Sequence, residues 1–163
     1  MLFRSLHSNI GRTYLKQDGY QAEDRIFEIV NQLNNTFESP DADQVDRNRL
    51  ADLNLMAGRK ARESGAVQSA FKYFRTAIAL FGQNVWAQYD LSLKMHLQAA
   101  EMAYLCGDSV QLDAISRQIM EHARTPLDRA AIQEIRMMAM LGTDPPEEVL
   151  KLAREVLDEL GIQ

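Results

Sequence analysis

The stretch AGRKARESGAVQSAFKYFRTAIALF, residues 57–81, decides the fold. Gly58 lies in an apolar-periodic run that stops at Ser64-Gly65, and Ala70, Phe74 and Ala77 recur at helical spacing in the run that follows. A small residue on one helix lets a second approach closely, an aromatic on the second fills the gap, and alanines keep that helix flush with its other neighbours. The spacing predicts two antiparallel helices joined by a tight turn. Such a pair does not bury its apolar face alone, so further pairs are expected to stack on it.

Outward from this pair, starts and stops divide the chain into about eight helices. The first is expected from Leu2 to Lys16, and the second from Gln21 to Phe37 with Ile26, Ile29, Val30 and Leu33 on one stripe. The acidic connection from Asp41 to Asp46 separates a leading helix pair, residues 1–40, from a repeat array, residues 41–163, within one continuous domain. Leu50, Leu53, Ala57 and Ala61 are expected to face inward on the third helix. Val67, Ala70, Phe71, Phe74, Ile78 and Phe81 do so on the fourth, which closes at Gly82.

A longer fifth helix carries Trp86, Tyr89, Leu93, Leu97, Ala100 and Tyr104 inward and stops at Gly107-Asp108. Leu112, Ile115 and Ile119 mark the sixth. Thr125 caps a seventh that opens on Pro126 and buries Ile132, Ile135, Met138 and Ala139. Thr143 or Asp144 caps an eighth with Val149, Leu152, Val156 and Leu160 inward. Gly58, Ala100 and Ile135 are spaced by about 42 and 35 residues, which keeps the roughly 34-residue tetratricopeptide period only loosely. The expected fold is all-α: tetratricopeptide-like antiparallel helix pairs stacked in a right-handed superhelical array.

Composition agrees. Among 163 residues, 46% are hydrophobic and 25% charged, enough for a substantial core, and only 4 prolines and 8 glycines interrupt the helix formers. A net charge of -5 offers no broad positive field to a phosphate backbone, so no nucleic acid is expected as a partner, and Arg59, Lys60 and Arg62 fan over a solvated surface. The single cysteine, Cys106, makes no intrachain disulfide and suits a reducing compartment. No apolar run reaches the length of a membrane span and no signal-peptide core opens the chain, so a cytoplasmic location is expected. The sequon at Asn34-Asn35-Thr36 has no meaning there.

Chemistry-bearing patterns are sparse. No segment reads G-x-x-x-x-G-K-[ST], and His7, His96 and His122 stand alone, without ligand-spaced partners. Cys106 reads as packing at a helix end, and Asp90, Glu101, Asp108 and Asp113 as solvated or helix-end carboxylates. Met137, Met138 and Met140 read as core filling, as does Trp86, which is alternatively an exposed anchor for a partner. No catalytic residue, metal ligand or cofactor is expected.

Particular strings carry a resemblance. LADLNLMAGRKARES from Leu50 to Ser64, FKYFRTAIALF, the spaced Trp86, YDLSL from Tyr89, AAEMAYLCGD from Ala99 to Asp108, TPLDRA from Thr125 and the closing LDELGI resemble the helical region of large bacterial signalling ATPases. His7 with Ile10-Gly11-Arg12, and IFEIVNQLN from Ile26, resemble the lead-in of that family. In those proteins a serine/threonine-kinase-like domain, an AAA/STAND-type ATPase, a tetratricopeptide-like segment, a GAF sensor and often a histidine kinase share one chain. Gly65-Ala66-Val67 departs from the small residue, alanine and tyrosine of the pattern. The family's Walker motifs precede this segment, so none of its functional residues transfers. The resemblance implies a regulatory connector and an internal fragment of a larger protein.

The leading expectation is therefore a non-catalytic module that relays signals through protein interactions. The alternative is a free-standing peptide-binding scaffold, with Asn54, Lys94 and Gln98 exposed on first helices to grip a peptide backbone. An all-helical hydrolase or lyase with an unrecognised site comes third. Uncovered terminal helices predict self-association as a symmetric dimer.

Overall fold

The computed structural model describes residues 19–36 and 44–162. The chain divides into two compact units, Met1–Ala42 and Asp43–Gln163. In the first, α1 (Gly19–Thr36) buries Ile26, Val30 and Leu33, which recur at intervals of four and three. The expected helix from Leu2 to Lys16 lies outside the described residues.

The second unit holds α2 (Gln44–Glu63), α3 (Val67–Phe81), a 3-10 turn (Gly82–Ala87), α4 (Tyr89–Leu105), α5 (Ser109–His122), α6 (Pro126–Met140) and α7 (Pro146–Glu159). Seven α-helices and no strand are present among the described residues. Each helix of this unit packs on its chain neighbour, and α4 also packs on α6.

The pair read from residues 57–81 forms as its side chains require. Gly65 and Gly82 take positive φ, 75° and 63°, ending α2 and α3 where an L side chain would be strained. A Cβ built on Gly58 would lie 2.8 Å from Phe74 Cε1, so the missing side chain is what admits the ring. Phe74, Ala70 and Ala77 are fully buried. Asp108 caps α5 by accepting from the Gln111 amide at 3.1 Å. Thr125 and Asp128 form a reciprocal capping box at α6, with Pro126 in its first turn.

Four details differ from the sequence reading. Trp86 lies in the 3-10 turn rather than on the long helix, because the chain leaves helical geometry at Gln88. With the helix starting later, α4 buries Ser92, Met95, His96, Ala99, Ala100, Met102 and Ala103, and leaves Leu93, Leu97 and Tyr104 half-buried. Met138 is 47% exposed, so α6 turns only Ile132 fully inward. Neither Thr143 nor Asp144 caps α7; Pro145 occupies the cap position without a side-chain bond, and Thr143 Oγ1 donates to Asp144 Oδ2 at 2.7 Å instead.

Candidate interaction surfaces

Two polar cross-links join helices that are not neighbours in the chain. Arg62 at the end of α2 pairs with Glu101 on α4 at 2.9 Å, and Tyr89 at the start of α4 donates to Asp128 on α6 at 2.6 Å. The first is solvent-exposed and contributes little energy. The second belongs to a network: Asp128 Oδ2 also accepts from the amides of Arg124 and Thr125, and the Arg124 guanidinium lies 4.0 Å over the Tyr89 ring. Tyr89's hydrogen bond leads the contacts that hold the Asp128 carboxyl below the usual carboxylate range. Burial, then the bond to Asp128, pushes the Tyr89 phenol up.

Beside this network, Trp86 stacks on two imidazoles, His122 at 4.4 Å between centroids and His96 at 4.6 Å. His96 is fully buried, and its Nδ1 lies 2.7 Å from the Ser92 carbonyl. A carbonyl only accepts, so the proton sits on Nδ1 and Nε2 is a buried acceptor without a partner. Burial pushes the ring below the ordinary imidazole range, more than the Ser92 carbonyl raises it. His122 adds to the lowering. Gln118 is near enough to favour the charged ring, although no hydrogen bond of ordinary geometry reaches Nε2. Ser92 Oγ donates to the Val85 carbonyl, tying the turn that carries Trp86 to α4. The cluster locks a joint between helices.

Two kinds of concavity open on this unit. A cavity of about 190 Å³ lies where the end of α3 and the 3-10 turn meet α4, with Phe81, Val85, Leu91 and Met95 supplying apolar walls and Asn48 of α2, Gln88 and Ser92 polar ones. Two shallower grooves of about 550 and 470 Å³ share Asp113 and Arg136, and so run along α5 and α6. Arg117, Glu121 and Asp144 give their walls mixed charge.

The residues singled out for partner binding separate. Asn54 is fully buried and donates through Nδ2 to the Leu50 carbonyl at 2.9 Å, so it is not the exposed side chain expected. A polar residue inside a helix satisfies itself on the preceding turn, which sequence spacing does not reveal. Lys94 is exposed on α4, and Gln98, one turn on, is half-buried with Oε1 sheltered and unbonded. Sequence reasoning missed the Tyr89–Asp128 network, whose signal was Thr125-Pro126 followed by Asp128 at the box position. Cys106 is half-buried, and burial followed by the Asp108 charge raises its thiol, which disfavours the reactive thiolate. Among the described residues, no three His, Cys, Asp or Glu groups gather to hold a metal ion, and no helix is long and apolar enough to cross a membrane.

No protein-family model matches the chain, and no solved structure matches it. The chain is 27% identical over 146 residues to a protein described as hybrid signal transduction histidine kinase G, from Dictyostelium discoideum. The match covers 74% of this chain and 4% of that protein's length.

Proposed function

We propose that this chain is a non-catalytic, tetratricopeptide-like module that mediates protein interactions within a signalling protein, coupling an ATPase to sensor or kinase domains. The observation that carries the reading is the packing of α4 on α6, helices that are not chain neighbours, tied by Tyr89–Asp128, with the Arg62–Glu101 pair bridging α2 and α4. Stacking first helices along one side is how helix-pair repeats build extended binding faces. The close approach of Gly58 and Phe74 and the likeness to a short part of a signal transduction histidine kinase support it. Isothermal calorimetry with magnesium-ATP tests the non-catalytic part: no saturable heat at sub-millimolar nucleotide is expected, and saturable binding with turnover would overturn it.

A second reading, a free-standing peptide-binding scaffold, is favoured by the cavity at the 3-10 turn and the start of α4. Its size and its Phe81, Leu91 and Met95 walls suit one large apolar side chain, while Asn48 and Gln88 sit where a peptide backbone would pass. A hexapeptide library varying one apolar anchor should shift the NMR resonances of Leu91 and Met95. Shifts confined to α5 and α6 would reject this cavity.

A further inference from the structure

The last helix, α7, separates apolar from polar residues more sharply than any other described helix, yet none of its residues is buried. Packing on α6 leaves Val149, Leu152, Ala153, Val156 and Leu160 half-covered, and Leu150 and Leu157 are 56% and 44% exposed. Leu150, Ala153, Leu157 and Leu160 recur at three, four and three, which aligns them in one seam along the helix. The rim beside that seam is patterned by charge: Glu147, then Lys151 and Arg154, then Glu155 and Asp158. Among the described residues, Lys151, Arg154 and Asp158 make no ion pair, whereas Glu159 is held by Arg129 at 2.9 Å.

We propose that this seam docks on the same seam of a second copy, forming an antiparallel, two-fold pair of α7 helices. Such an axis reverses the helix direction but keeps each flank facing its own equivalent. Leu150 and Ala153 then meet the partner's Leu160 and Leu157, and Lys151 faces the partner's Asp158, twice over. The reversed order of bases and acids along one rim is what an antiparallel copy supplies; a parallel two-fold would set this rim against the partner's opposite flank, where Val149 and Val156 lie, and leave its charges unmatched. The docking is independent of the signalling reading, since it rests on α7 alone.

Sedimentation velocity of the full chain tests it at about 100 μM, enough to populate any dimer with a micromolar Kd. A dimer is expected. Leu150→Glu combined with Leu157→Glu should weaken it at least about thirtyfold, the loss typical of two buried anchors, with helix content by circular dichroism unchanged. Lys151→Glu alone and Asp158→Lys alone should each weaken association, and the two together should restore it. A monomer at this concentration, a dimer indifferent to the leucine substitutions, or a charge exchange that fails to recover would each overturn the proposal. The first two outcomes point to a different occupant or a different face. Nucleotide calorimetry leaves the dimer unaffected, so the two proposals fail separately.

Discussion

At Gly58 two opposing effects can be weighed. Alanine there would gain helix propensity of about 0.5–1 kcal/mol, but its Cβ would press on a Phe74 ring that is completely buried and has nowhere to retreat. Overpacking of this kind costs about 1–3 kcal/mol, so Gly58→Ala should be destabilising in urea denaturation. Adding Phe74→Leu, which makes room, should leave the double variant less destabilised than the sum of the singles. A second residue-scale consequence concerns His96. Its folded-state pKa lies below the ordinary 6.5, so the unfolded chain takes up the proton more readily. Stability from the neutral ring is complete above about pH 6.5 and declines as pH falls through the folded value. The urea midpoint, read from the fluorescence of Trp86, should fall between pH 7.5 and 5.5, about an ordinary imidazole. In His96→Leu that part of the fall should vanish. Gly58 and Phe74 were legible because a small residue opposite an aromatic has few other uses. His96 was not, since its role comes from stacking on Trp86 across a turn, a contact that spacing does not encode.

At the scale of elements, the strongest local signals were caps and breaks. Thr125→Ala should remove one half of the capping box and cost about 1 kcal/mol in thermal or urea unfolding. Tyr89→Phe should cost about the same by deleting the bond to Asp128, and the pair of changes should be non-additive because both act on one residue, Asp128, through its carboxylate and its amide. An additive result would mean that the Tyr89 link and the cap work separately. The helix boundaries at Gly65, Gly82 and Gly107 were readable from sequence because each glycine takes a positive φ that other residues avoid. The inward face of α4 was not, because this helix packs on α3, α5 and α6 and so lacks a single apolar stripe. Its most buried positions include Ser92 and His96, which no hydrophobic periodicity selects.

Across the whole second unit, burial grades from covered to uncovered. α3 and α4 contribute many buried side chains, α6 only Ile132, and α7 none. That gradient is what a stack of pairs produces, since each pair relies on its neighbours for cover. The all-helical class was legible from periodicity and the scarcity of breakers. The partner-gripping residues were not, because which polar side chain points outward depends on how successive pairs rotate against each other, and Asn54 turned inward. On the reading we propose, these helices form a stack of mutually supporting pairs rather than one undivided core. Native-state hydrogen exchange on the Leu150→Glu, Leu157→Glu chain, at a concentration where sedimentation shows a monomer, tests this reading. Slowest exchange is predicted in α3 and α4, intermediate exchange in α5 and α6, and fastest in α7, with the opening free energies graded in that order. Exchange of α7 as slow as that of α3, through a single concerted opening, would contradict it.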